Sequence, residues 1–562
     1  AVIYPLYIRA EGYAGIGRDK YWFYRYVTIG LLIVVAVAGL INYYTKSTGL
    51  TDGAGTEKNP IKGKDRGVTG RIKALMTTET AVATFSVVAV ISYLASPYRE
   101  TAWIGADGWF MGLETLLLMT LTYFYIARMV QYSDYIWPFF MVGGVVVFFL
   151  GICNRFSFYP LAFDLVAPEF ISTLGNINWF AGYFSVIWPI GAGLAIFSSK
   201  RWVRITATMV TMIAFGAGVT QGSSSAFLSM FAGFGILLYA CLNECDRTKL
   251  HNKISPEEGL GQEDFLNDRR SGAGNWKKYG GRLLGLAAGW CVTCQVIRVL
   301  RVIMPERYNY ETDNLCGLVT STSLSIVLLI PIVIIYVLTV INNDADAKAN
   351  ELKSKNVNKA GIIKFDIFRL LKQLLIALPL VGLGSYLVLL IINTMLPDGI
   401  GGFSASLFRF DQDWGYGRGM AWMTGMELFT EASLPQKLLG VGPDSFMEYL
   451  YSIPDIAGKI RTFYNNATLT NAHNEWITTL VNLGLAGTIA YIGIFVSVIG
   501  RFMRGAKENK LLYIPLACAF SYMIHNMVSF GQVLNMPFLF IIIGIGECCY
   551  RQRYPRRVVS EP

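Results

Sequence analysis

This chain of 562 residues carries three histidines, and His473 stands in a polar knot, Asn471-Ala472-His473-Asn474-Glu475-Trp476. An imidazole with an unperturbed pKa of about 6.5 exchanges a proton near neutral pH, so His473 could deprotonate a hydroxyl that Asn474 and Glu475 hold. The plainer reading is that these polar residues open and cap a helix. His525, with Asn526, lies inside an apolar stretch, where it either lines a pocket or ties helix to helix. His251 stands in a polar connector and reads as solvated.

Arg298 and Arg301 are three apart on one helix face, either reaching lipid headgroups or forming a fork for a phosphate or pyrophosphate. Arg409, Arg418 and Arg461 add cations to a long polar stretch, and Glu114 reads as one half of an internal salt bridge. Asp411-Gln-Asp413 has the look of a metal and nucleotide-sugar pair, but a solvated turn accounts for it as well. Cys291-Val-Thr-Cys294 has redox spacing yet sits in an apolar run without a second pair, and the nine cysteines read as small core residues. No metal and no cofactor is expected. Trp414, Tyr416, Trp422, Tyr449, Tyr451 and Tyr464 suit either stacking on sugar rings or lying at a membrane interface.

The elements that must position these groups are membrane helices. With 53% hydrophobic and 15% charged residues and a mean hydropathy of +0.43, the chain is not an ordinary soluble globule. Thirteen apolar spans are expected, near 22–44, 77–95, 110–130, 135–153, 177–198, 203–220, 224–243, 283–303, 321–341, 370–395, 476–499, 512–530 and 534–549. Every strongly basic connection is then odd-numbered, which puts them all in the cytoplasm and the polar stretch from Pro397 to Trp476 outside. Arg9, Arg18 and Lys20 go against this count. The net charge of +10 is thereby a topology signal, and no nucleic-acid partner is expected. Residues 1–395 form ten spans, 396–475 a large outer loop, and 476–562 three more spans with a basic tail.

Within the outer loop, 419–431 predicts a helix, Gly440-Val-Gly-Pro443 a turn, and Asp444 the start of a second helix that Pro454 ends. Segments 256–280 and 344–358 read as flexible connectors. No cleavable signal peptide is visible, and Ala1-Val-Ile-Tyr-Pro-Leu-Tyr-Ile, lacking a starting Met, could be the tail of a longer hydrophobic segment.

His473-Asn474, nine residues, then Gly484-Leu-Ala-Gly487 resembles the His-Asn-x9-Gly-x-x-Gly pattern of the O-antigen ligase and polymerase family. Arg418-Gly-Met-Ala-Trp422, Gly440-Val-Gly-Pro-Asp444-Ser-Phe446 and Gly175-Asn-Ile-Asn178-Trp-Phe-Ala-Gly182-Tyr resemble three further family segments. The resemblance implies an all-α, GT-C-like membrane glycosyltransferase, in a bacterial inner membrane, whose donor is a glycan on polyprenyl pyrophosphate and whose acceptor is a sugar, lipid or protein hydroxyl. It puts His473 at the catalytic position, with Glu475 or Asn474 holding the acceptor, and Arg418 at a phosphate-contacting one, with Asn178, Asp444, Trp422 and His525 as further pocket candidates. The family's second arginine is missing from Gly222-Ser-Ser-Ser225-Ala-Phe, and Arg298 or Arg301 is its expected substitute. A transporter or flippase of the same lipid-linked glycan is the rival; it predicts charged or broken helices near the bilayer midplane.

Overall fold

The computed structural model describes residues 2–9, 12–47, 77–161, 170–254, 262–308, 314–321, most of 324–341, 367–396 and 408–553. The chain is all-α: among the described residues the strands are the two-residue β1 (Phe170–Ile171) and β2 (Gly175–Asn176), paired antiparallel. Nine described helices are long and apolar enough to cross a membrane. They are α2 (Ile16–Ser47), α3 (Thr78–Ala95), α6 (Ile136–Arg155), α7 (Ile177–Phe197), α8 (Arg201–Gln221), α9 (Ser224–Ile254), α10 (Gln262–Ile303), α13 (Ile367–Met395) and α18 (Glu475–Gly505). The other four expected spans fall on helices that are shorter or less apolar: α5 (Leu113–Met129), α12 (Leu324–Leu338, partly outside the described residues), α19 (Tyr513–His525) and α20 (Met536–Arg553). The short α1 (Ile3–Leu6), α4 (Arg99–Ile104) and α11 (Asn314–Val319) join them.

Helix α7 is buried along its whole candidate span and forms the axis of the bundle, with Phe180, Tyr183, Phe184 and Trp188 packed against α6, α8, α9 and α20. Where lipid is as apolar as the side chains, such close van der Waals packing is what holds helices together.

Contacts sort the connections to two ends. At one end Lys510 meets Glu244 and the Tyr279 hydroxyl, Arg282 donates to the Ile196 carbonyl, Lys200 to Tyr135, and Arg551 and Arg128 share Glu79. These basic groups come from connections expected on one side. At the other end Tyr4 donates to the Val533 carbonyl, Tyr13 to that of Ser172, and the Val533 N–H to the Trp109 carbonyl. The N-terminal cations that went against the charge count are held here: Arg9 pairs with Asp19, Arg18 with Asp107, and Lys20 donates to the carbonyls of Tyr4, Pro5 and Tyr7. Glu114 takes Arg25 and the Tyr21 hydroxyl, the internal pair expected of it.

One sequence reading is corrected and another extended. Residues 262–280 belong to α10 rather than to a flexible connector, because helical hydrogen bonding carries on past the apolar part of the helix; 344–358 lie outside the described residues. The second cap helix stops at Tyr451, before Pro454 as expected, but Pro454 also opens a further helix, Pro454–Phe463, its missing N–H costing nothing in a first turn. Eight cysteines are buried with no disulfide among the described residues, and Cys291 donates to the Ser325 carbonyl.

Candidate active site

Residues 408–474 form a helical cap with its own apolar core: α14 (Trp414–Glu431), α16 (Phe446–Tyr451) and α17 (Pro454–Phe463) pack around Leu428, Phe446, Leu450 and Ile460, while α15 (Leu434–Leu439) lies against α18. Ala472, Ile477 and Val481 extend that core onto α18. The join depends on glycine. Gly484 interrupts α18 with φ +66° and ψ −169°, and the carbonyls of Val481 and Asn482 then accept from Val441 and Gly442 of the cap at 3.1 and 2.9 Å. A Cβ on Gly484 would stand 2.5 Å from the Leu438 backbone, and one on Gly440 would strike the Asn482 carbonyl. The turn and the helix break are two halves of one backbone contact.

Directly before α18, His473 is held at φ +49° by its own N–H, which donates to Asn471 Oδ1 at 2.8 Å. Asn474 is the N-cap, its side chain accepting from Trp476 and Ile477 at 3.0 and 3.2 Å, so the acceptor-holding role expected of it competes with a structural one. Glu475 faces inward: its carboxylate accepts from Gly531 at 2.5 Å and from Thr479 at 3.3 Å, and its N–H donates to the Asn526 carbonyl. This ties the 526–536 segment beneath the histidine and seats Phe530 edge-on to the imidazole, centroids 5.5 Å apart. Phe530 packs on Trp109, and Trp109 on Trp179.

Arg418 comes from the cap. Gly415, Tyr416 and Gly417 all have positive φ, so the regular turns of α14 begin at Arg418, whose Nη1 donates to the Gly415 carbonyl at 3.0 Å. Burial first, and the Arg418 charge second, bring the His473 pKa down from 6.5 to about 4, so the ring is neutral at pH 7. Arg418 also lies within electrostatic reach of His525.

Asp444 has φ +54° and caps no helix; Ser445 holds that position. Its carboxylate reaches across to the loop after α4 and accepts from Ala106 and Met111 at 2.8 and 3.0 Å. Enclosure raises its pKa from 3.8 to about 7, against the pull of those two N–H donors. Asp444, Glu475, Asn471, Trp109 and Phe530 line a cavity of about 40 Å³, room for ordered water rather than for a sugar.

No family model and no curated protein matches the chain.

An arginine does stand at the Gly222–Ser225 turn, contributed by a different helix. Arg155, fully buried at the end of α6, donates to the Gln221 carbonyl at 2.8 Å. The signal for it in the sequence was an arginine at the wrong end of an apolar span for the positive-inside rule. Arg301 is held one ring away, 4.4 Å from the Tyr308 centroid, while Tyr308 donates to the Thr220 carbonyl. Arg298 is exposed on the outside of α10 and does not reach the turn.

Asn178 accepts from Ser223, which shares a hydrogen bond with Ser225, and so braces the same turn. His525 is fully buried between the Ser225 backbone, Gly182 and the Asn535 amide, a position the sequence left open. Both side-chain polar atoms of the buried Gln221 and Gln532 lack a protein partner among the described residues. Trp422 packs with Trp414 and Phe410 inside the cap, not beside His473. Asp411 Oδ1 accepts from the Asp413 N–H in a solvated turn, Arg409 is exposed, and Arg461 lies over Tyr451.

Proposed function

We propose that this chain is a GT-C-like membrane glycosyltransferase that moves a glycan from a polyprenyl-pyrophosphate-linked donor to a hydroxyl of a sugar, lipid or protein, in a bacterial inner membrane with the cap outside. The observation that supports it is a buried His473 within electrostatic reach of Arg418 at the joint between cap and bundle. The acceptor oxygen forms a bond to the anomeric carbon, and the anomeric carbon–oxygen bond to pyrophosphate breaks with inversion, its electron pair leaving with the pyrophosphate. The acceptor proton passes to the imidazole, which is uncharged and able to take it. Arg418, with Arg155 behind the Gly222–Ser225 turn, offsets charge growing on the leaving group. Glu475 holds the floor of the site through Gly531 rather than reaching the acceptor. No metal enters this scheme.

The purified protein incubated with a lipid-linked oligosaccharide should yield longer chains or transfer to an added acceptor. His473→Ala should lower that yield by about 100- to 10,000-fold, the usual worth of a general base, with the protein still folded. Undiminished product in that variant overturns the reading. The break at Gly484 is what a transporter would use, and movement of the lipid-linked glycan across vesicles without any lengthening would put a flippase in its place.

A further inference from the structure

Along the outer face of α10, Val292, Val296, Val299, Val302 and Ile303 are each half or more exposed, as lipid-facing residues of a spanning helix are. Arg298 is set among them, exposed, little more than one turn before α10 ends, and among the described residues it makes no hydrogen bond or ion pair. A guanidinium in that position is costly unless an anion meets it. Beside it, Cys291, Val292, Gln295, Val296, Val299 and Leu300 form with Ile326 and Leu329 of α12 a groove of about 420 Å³ whose lining surface is apolar. The groove is a built one: Gln295 donates to the Ser325 hydroxyl at 2.8 Å and Cys291 to the Ser325 carbonyl at 2.7 Å, which pins α12 to α10 along one wall. Helical spacing puts 291, 295 and 298 on one stripe, so Arg298 stands over the end of that wall.

We propose that this is a site for an anionic phospholipid, one acyl chain in the groove and the phosphate on Arg298. The head is anionic rather than zwitterionic because among the described residues no carboxylate pairs with Arg298, which leaves a choline or ethanolamine cation beside the bound phosphate without a matching anion. It is a phospholipid rather than the pyrophosphate-bearing donor because one free guanidinium suits one phosphate, and a pyrophosphate takes two or more cations. The site is separate from the joint between His473 and Arg418 and stands whether or not that joint transfers glycans.

The test is native mass spectrometry of the protein released from nanodiscs of equal parts dioleoylphosphatidylglycerol and dioleoylphosphatidylcholine. The unmodified protein should retain one phosphatidylglycerol in preference to phosphatidylcholine by about tenfold, the worth of one charge-assisted hydrogen bond. Arg298→Gln should reduce that preference to near one, Arg298→Lys should keep part of it, and Val296→Trp should lower retention by filling the groove while Arg298 stays. Three results overturn the proposal: equal retention of the two lipids, a preference untouched by Arg298→Gln, or retention of an added polyprenyl phosphate at Arg298 in place of phosphatidylglycerol.

Discussion

At His473, two causes act in the same direction, and one of them can be cancelled. Burial is fixed by the fold, but the Arg418 contribution disappears once an anion sits against the guanidinium, so the imidazole becomes a stronger base with an anion bound there. In ligand-free protein Arg418→Gln should raise the His473 pKa from about 4 toward 6.5, read from the ring carbon shift by NMR; an unmoved value would leave burial as the whole cause. Because the folded value lies below the unfolded one, His473 stabilises the protein above about 6.5, and that stabilisation is lost as pH falls toward about 4. Asp444 has the opposite sign. Its folded pKa of about 7 stands above 3.8, so its contribution is full at low pH and is lost as pH rises through that window. Asp444→Asn should therefore raise the melting temperature at pH 8 relative to the unmodified protein and leave it nearly unchanged at pH 4. His473, Arg418 and Asp444 were all legible as polar groups in motifs, whereas the inward turn of Glu475 was not. Nothing in the order of residues says that the partner of Glu475 is the N–H of Gly531.

Among elements, the joint between cap and α18 decides whether the site exists. Gly484→Ala forces a left-handed residue to carry a Cβ against the Leu438 backbone, about 1–3 kcal/mol from conformation alone and more from the clash. The expected result is a cap that trypsin cuts within 408–474 faster than in the unmodified protein, while α18 stays inserted. The sequence placed both glycine motifs, but their meaning as one contact needed the third dimension, because Gly440 and Gly484 belong to different elements. Arg155 shows the same limit: it lies 66 residues before the carbonyl it holds, so no spacing rule reaches it. The helices themselves were legible because apolar length is written locally, and the polar ends of α9 and α10 were misread because a polar helix and a polar connector share a composition.

For the whole molecule, the ion pairs gathered at the basic end of the described helices do measurable work. Arg501 grips the fully buried Glu547 with two bonds of 2.6 and 2.5 Å, joining α18 to α20. Arg501→Met leaves that carboxylate unpaired and should cost about 3–5 kcal/mol, seen as a large drop in melting temperature; adding Glu547→Gln should recover most of it. The bundle's packing was not legible in the charge pattern, since contact with α7 is set by shape rather than by charge.

The broken helix has a consequence for how the chain is made. α18 has no complete hydrogen-bond ladder of its own: two of its carbonyls, those of Val481 and Asn482, are satisfied from the cap. Synthesis runs from the N-terminus, so the cap emerges first and is already on hand when the ribosome delivers α18 to the bilayer. Were the two segments exchanged in order, α18 would have to wait in lipid with the Val481 carbonyl bare, while that of Asn482 would keep the Ser92 hydroxyl of α3.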